Sequence, residues 1–179
     1  MNDKVTDMDD FGYGLAYQAH LPLAWSESSG SPLETFSVEN EQCLQVILDL
    51  SESHTPEQKE ETTALSVIER KVDMTLQMVA ELLRAATKMP SDKALRLGAH
   101  KLSWHEPGEL PRLDSTLDIV IYLHDLYPKP IRLRGQVRSA QSQQCVVSLE
   151  SQSDEAQQLL EKFIFLHHRR AIAQLKKAE

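Results

Sequence analysis

LDIVIYLHDLYPKPIRLRGQVRSAQSQQCVVSL, residues 117–149, is the stretch from which the fold can be read. Leu117, Ile119, Ile121 and Leu123 alternate with Asp118, Val120, Tyr122 and His124. That two-residue period belongs to a half-buried strand. Tyr127-Pro128-Lys129-Pro130 turns the chain. Ile131, Leu133, Gly135 and Val137 then alternate with Arg132, Arg134, Gln136 and Arg138, and Cys145, Val147 and Leu149 alternate with Val146 and Ser148. Consecutive short strands with tight links predict an antiparallel meander or a small barrel.

Downstream, Asp154 opens a helix with Leu159, Leu160, Phe163, Ile164, His167 and Ala171 on one face. Arg169, Arg170, Lys176 and Lys177 close it with the charge that a helix C-terminus favours. Upstream, Ala94 to Ser103 reads as two short extended pieces broken at Gly98, and Trp104 to Ser115 as a loop marked by Pro107-Gly108 and Pro111.

Before the strands lies Thr55 to Met89, with no Gly and only Pro56 among prolines. Thr55-Pro56-Glu57-Gln58 reads as a capping box, and Pro90 stops the helix. Leu65, Ile68, Val72, Thr75, Val79, Leu82, Ala86 and Met89 fall at alternating spacings of three and four, the heptad pattern of a coiled coil. Leu76 and Leu83 widen that face beyond a two-stranded seam, toward a bundle of more than two helices. Roughly 34 helical residues make a rod of about 50 Å, too long for a compact domain with a radius of gyration near ~12 Å. Leu65, Ile68, Val72, Thr75, Leu76, Val79, Leu82, Leu83 and Ala86 are therefore the expected oligomer interface.

A shorter helix is predicted over residues 39–51, with Asn40 as N-cap and Cys43, Leu44, Ile47, Leu48 and Leu50 on its apolar face. The turn from Ser51 to Thr55 is expected to fold it back as an antiparallel hairpin with the long helix. Residues 1–32 show no sustained period. Asp7, Asp9 and Asp10, Gly12-Tyr13-Gly14 and the Ser26–Pro32 run read as an acidic, largely disordered arm. The aromatics Phe11, Tyr13, Tyr17 and Trp25 are more than a solvated tail needs, so part of it is expected to dock. The organisation predicted is an arm (1–32), a helical oligomerisation region (33–90) and a barrel with its C-terminal helix (91–179).

Charge narrows the functional classes. Residues 1–61 carry 13 acids and 2 bases, whereas residues 62–179 carry 14 acids and 17 bases. The acidic half speaks against general nucleic-acid binding, which requires a continuous basic surface. No run approaches the ~18 apolar residues of a membrane span, so no membrane insertion and a cytoplasmic location are expected. Cys43 and Cys145 lie far apart in apolar periodic segments and read as buried, reduced thiols. His100, His105 and Glu106 lack metal-ligand spacing, and neither a nucleophile elbow, a P-loop nor a dinucleotide fingerprint is present. The reading is no enzyme, no metal and no cofactor. Arg132, Arg134 and Arg138 project from one face of a single strand, as a solvated exterior, arginines guarding an edge strand, or a docking stripe for an acidic partner segment.

The succession LDIVIYL (117–123), PIRLRGQV (130–137), CVVSLES (145–151) and LLEKFIFLHHRR (159–170) resembles a PilZ domain, whose landmarks are an I-x-L-x-G-x-V strand and a following helix with L-x-x-F-I. The resemblance covers about residues 91–179. It implies an α+β fold, in which a six-stranded antiparallel barrel carries a C-terminal helix and here follows a helical hairpin. It also implies a place in cyclic di-GMP signalling. With the heptad helix ahead of the barrel, the whole chain resembles the diverged, tetrameric PilZ proteins of plant-pathogenic xanthomonads. A homotetramer is thus implied, where the heptads alone imply an oligomer.

The family's usual ligand site has R-x-x-x-R just before the first strand and [DN]-x-S-x-x-G further on. Two arginines clamp phosphates and guanine edges, and a short acid, a hydroxyl and a Gly let the backbone approach. The nearest equivalents here are Arg96-Leu-Gly-Ala-His100 and Lys101-Leu-Ser103-Trp-His-Glu106. Arg96 and Ser103 are kept, His100 replaces the second arginine, Lys101 the acid and Glu106 the Gly. Arg96, His100 and Ser103 are expected as a degenerate site that does not bind cyclic di-GMP in the usual manner. The expected role is a signalling adaptor contacting a protein partner. The alternatives are an atypical cyclic di-GMP receptor and a purely structural scaffold.

Overall fold

The computed structural model describes residues 14–30, 34–53 and 64–175. In chain order these form β1 (Ala16–Glu27), α1 (Glu34–Ser53), α2 (Ala64–Ala86), β2 (Asp92–Gly98), β3 (Lys101–His105), β4 (Thr116–Ile121), β5 (Ile131–Gln141), β6 (Gln144–Leu149) and α3 (Asp154–Leu175). The six strands close into an antiparallel barrel in the order β1-β2-β3-β6-β5-β4.

The alternation read from residues 117–149 is what builds this barrel. Leu117, Ile119 and Ile121 of β4 are buried, as are Ile131, Leu133 and Val137 of β5 and Cys145 and Val147 of β6. β5 and β6 meet through Ser142 and Gln143, both at positive φ, as a two-residue hairpin of this twist requires. Gly135 of β5 stands opposite Leu149 of β6. A Cβ there would overlap Val147 Cγ1 and lie 2.5 Å from the Ser148 carbonyl oxygen. We expect Gly135→Ala to lower stability by at least about 2 kcal/mol, since overpacking against backbone has no cheap relief. Thermal denaturation checks this, and an unchanged melting temperature would refute it.

One core runs from the barrel out to two helices. Cys43, Leu44, Ile47 and Leu48 of α1 and Leu160, Phe163 and Ile164 of α3 join Leu23, Leu97, Leu102, Trp104 and the strand residues above. Burial pushes the Cys43 thiol up to about 11 and the Cys145 thiol up to about 12, which keeps both unreactive.

Two expectations need correction. Residues 16–27 are not part of an arm. They are the strand that closes the barrel, pairing with β2 from Ala16 to Pro22 and with β4 from Leu23 to Glu27. Only Ala16 and Leu23 of this strand are fully buried, and Pro22 interrupts its donors, so its strand character comes from pairing rather than propensity. The helices do precede β2, but α1 packs on α3 and β5, and among the described residues α2 touches no other helix or strand. The first contact of α1 explains this. Asn40 lies inside the helix rather than at its cap. Its Oδ1 accepts from Arg132 N at 2.8 Å and its Nδ2 donates to Arg132 O at 2.7 Å, so it acts as a surrogate strand neighbour to β5. The predicted capping box at residues 55–58 lies outside the described residues.

Candidate functional site

The turn from β2 to β3 and the outer face of α3 form a concavity. Ser153 caps α3, accepting from Ala156 N at 3.2 Å, and its own N–H donates to Ser37 Oγ at 2.9 Å, so α1 fixes where α3 starts. Gln157 then donates to the Ala99 carbonyl at 3.1 Å, and Leu149 N to the His100 carbonyl at 2.8 Å. These bonds pin the turn between α3 and β6. Further along α3, Phe163 meets Tyr17 edge-on at 5.1 Å, and His167 lies 4.7 Å from Tyr17 and 4.4 Å from Phe163. Burial, together with the charges of Arg170 and His124, pushes His167 down to about 4, so its imidazole is neutral at physiological pH.

Two compartments result. The wider, of about 730 Å³, is lined by Leu15, Ala99, His100, Lys101, Lys162 and Phe165 among others. The narrower, of about 270 Å³, is lined by Tyr17, Arg96, His167, His168 and Ile172 among others. Gly14 lines both.

Of the three residues expected to remain from a ligand site, Arg96 opens on the narrow compartment and His100 on the wide one. Ser103 opens on neither. It is buried in β3, paired in the ladder with Arg96 on one side and Val146 on the other. Arg96 itself lies within the second strand, not ahead of the first, and the sequence up to Leu15 contains no arginine. The equivalence drawn from residue order alone is therefore displaced by one strand. Glu106 is also far from any ligand role. It is buried and accepts from Trp25 Nε1 at 2.7 Å, from Trp104 Nε1 at 3.2 Å and from Lys93. Nothing in the spacing of these four residues announces that cluster.

The arginine stripe is reduced. Arg132 is exposed, 5.4 Å from the Phe36 ring, and Arg138 is exposed beside a bulge between Val137 and Ser139. Arg134 is buried, its Nε donating to Asp118 at 2.6 Å, and that bond raises its pKa further. It belongs to the barrel's packing and does not share an open face with the other two.

α2 carries a second surface. Leu65, Ile68, Val72, Val79, Leu82 and Leu83 are between 45% and 70% exposed, Thr75 and Ala86 are exposed too, and Leu76 is half-buried. Thr75 Oγ1 donates to the Lys71 carbonyl at 2.8 Å, so its hydroxyl can enter an apolar seam already satisfied. Arg84 pairs with Asp125 and ties the helix end to the loop after β4. No described helix is long and apolar enough to cross a membrane.

A family model described as atypical PilZ domain, cyclic di-GMP receptor, matches residues 42–177. Among solved structures, a pathogenic protein from Xanthomonas campestris, a tetrameric PilZ domain self-assembled via an unusual helical bundle, matches with a TM-score of 0.72 at 17% identity. The match covers 91% of this chain and 93% of that one, and it is a likeness of fold. The inhibitor of motility from Bacillus subtilis overlaps 46% of this chain and 42% of its own with a TM-score of 0.35 and 15% identity, too little to carry an argument. No curated protein matches.

Proposed function

The chain belongs to the atypical PilZ domain family, and on that premise we propose that it is a non-catalytic signalling adaptor of the cyclic di-GMP network. It works in the cytoplasm as a homotetramer assembled through α2 and acts by contacting a protein partner. The observation that carries this reading is the exposed apolar face of α2, which meets no other described helix or strand. An apolar face of this size is not left in water by a monomer, and a second copy supplies the same face. The helical-bundle assembly of the Xanthomonas campestris protein supports four copies.

Absence of the usual clamp favours the adaptor over the receptor. No arginine precedes β1, Ser103 is inside the sheet, and Glu106 is occupied by Lys93 and two indoles. The receptor reading draws on the family's description and on Arg96, which does open on a compartment. Calorimetry decides between them. Each charge-assisted contact contributes roughly 1.5–3 kcal/mol, so the missing arginine and acid weaken affinity by about two to four decades. We expect no saturable isotherm with cyclic di-GMP at micromolar protein. A micromolar isotherm abolished by Arg96→Ala would establish the receptor instead. A scaffold without partners would retain nothing specific from cell extract.

A further inference from the structure

We propose that the groove between α3 and the β2–β3 turn is covered by the same chain's residues 8–13, MDDFGY, the stretch that leads into β1. Such a strap goes beyond the adaptor reading and does not depend on it. With the strap in place, a ligand or partner reaches the groove only by displacing it.

Continuity of the chain selects this occupant. β1 starts at Ala16, opposite Gly98, and Gly14 lines both compartments. Whatever precedes Gly14 therefore issues at the rim of the groove. The compartments follow α3 from Gln158 to Ile172, a rise of about 21 Å, which about six residues of extended chain cover. A segment tethered at the rim meets the groove at an effective concentration on the order of millimolar. A free ligand lacks that advantage, and an arm from another copy has no tether to this rim.

The side chains agree with the placement. Leu15 and Phe165 line the wide compartment with 48% and 53% of their surface exposed, and Ile172 lines the narrow one at 42%. Residues two apart share one face of an extended chain, so Phe11 and Tyr13 offer the groove a paired aromatic face. Tyr13, next to Gly14, falls to the narrow compartment, and Phe11 to the wide one against Leu15 and Phe165. His167 adds a polar reason. It lines the narrow compartment, and its Nε2 is buried without a hydrogen-bond partner. Such an atom is costly to leave unmet. The Tyr13 hydroxyl both donates and accepts, so it serves Nε2 in either neutral tautomer.

Hydrogen–deuterium exchange on the full chain, read against a synthetic peptide of residues 1–13, tests the strap. The amides of residues 8–13 should exchange about tenfold or more slower in the protein than in the peptide. Phe165→Ser should return them to the peptide's rate while keeping the melting temperature, since that ring is half exposed. Phe11→Ser should do the same with every described residue unchanged. Co-expression of the two variants separates one copy from another. The arm of the Phe165→Ser chain then finds an intact groove only on a Phe11→Ser chain, and it should stay unprotected. Peptide-like exchange in the wild type, or protection that survives either variant, would overturn the proposal. Protection regained on co-expression would overturn it too, by placing the arm on a second copy. None of these readings involves α2, whose part in assembly is judged by mass alone.

Discussion

Replacing Val72 by aspartate is expected to collapse the assembly to smaller species, with Val79→Asp behaving alike. Both side chains lie on the exposed apolar face of α2, Val72 at 58% and Val79 at 45% exposure in the isolated chain. In the monomer an aspartate at either place is solvated and costs little. In a packed seam it is an unpaired charge without a hydrogen-bonding partner, disfavoured by several kcal/mol. Because every copy contributes the same residue, the cost recurs at each subunit. A loss of about 4 kcal/mol per contact weakens association by about a thousandfold. Light scattering at micromolar concentration should therefore report a smaller mass, while the barrel, on none of whose strands α2 packs, should melt as before. An undiminished mass would place the interface elsewhere.

The second large effect is expected at Glu106. Its carboxylate is buried with Lys93, whose side chain is only 11% exposed, and receives hydrogen bonds from both tryptophans of the chain. Glu106→Ala leaves a nearly buried ammonium and two indole N–H groups without their acceptor. Breaking one side of such a pair typically costs about 3–5 kcal/mol. Burial by itself raises the Glu106 pKa, but the hydrogen bonds from Lys93, Trp25 and Trp104 and the Lys93 charge outweigh it and hold it below the ordinary value of 4.5. The folded carboxyl therefore binds its proton less readily than the unfolded one. The stabilisation is complete above the unfolded value and is lost as pH falls through the folded value. Denaturant melts should show the wild type losing this increment on acidification and the alanine variant having none to lose. Because both indoles touch this carboxylate, tryptophan emission should shift with it. Equal stability of the two proteins at neutral pH would refute the assignment.

How much of this was legible in the sequence depends on what each residue's pattern can encode. Period-two alternation reports burial on one side of a strand, and it located β4, β5, β6 and the break at Gly98. It cannot report whether the other side is wet, which is why Arg134 read as part of an open stripe although it is buried and paired with Asp118. β1 had no pattern to find, since Ala, Gln, His and Pro become a strand here only because β2 and β4 flank it. The apolar face of α1 announced that Leu44, Ile47 and Leu48 would be buried but not against which surface, and Asn40 decided for β5. At the candidate groove, Arg96 and His100 were singled out for a motif they do not complete. Phe165 and Leu15 passed unnoticed because isolated exposed apolar residues are ordinary until a fold sets them side by side. The Trp25–Glu106 contact joins residues 81 positions apart, beyond the reach of any local signal.

The placement of β1 also sets a timetable for folding. Sixty-four residues separate it from its neighbour β2, and α1 and α2 emerge in between. Closing a loop of that length costs about 2–3 kcal/mol more in chain entropy than a four-residue hairpin, and contacts of such separation slow the approach to the native state. During synthesis the first strand must wait through the appearance of α2, whose sticky face is ready to find another chain before the barrel exists. Nascent chains can thus be joined by their helices while their first strands are still unpaired, and a strand without its own β2 and β4 can be taken up by the barrel of a neighbour. Exchange of the first strand between joined copies is the misfolding route this topology makes open, and keeping β1 poor in β-formers, with Pro22 in its middle, makes the wrong pairing as weak as the strand itself.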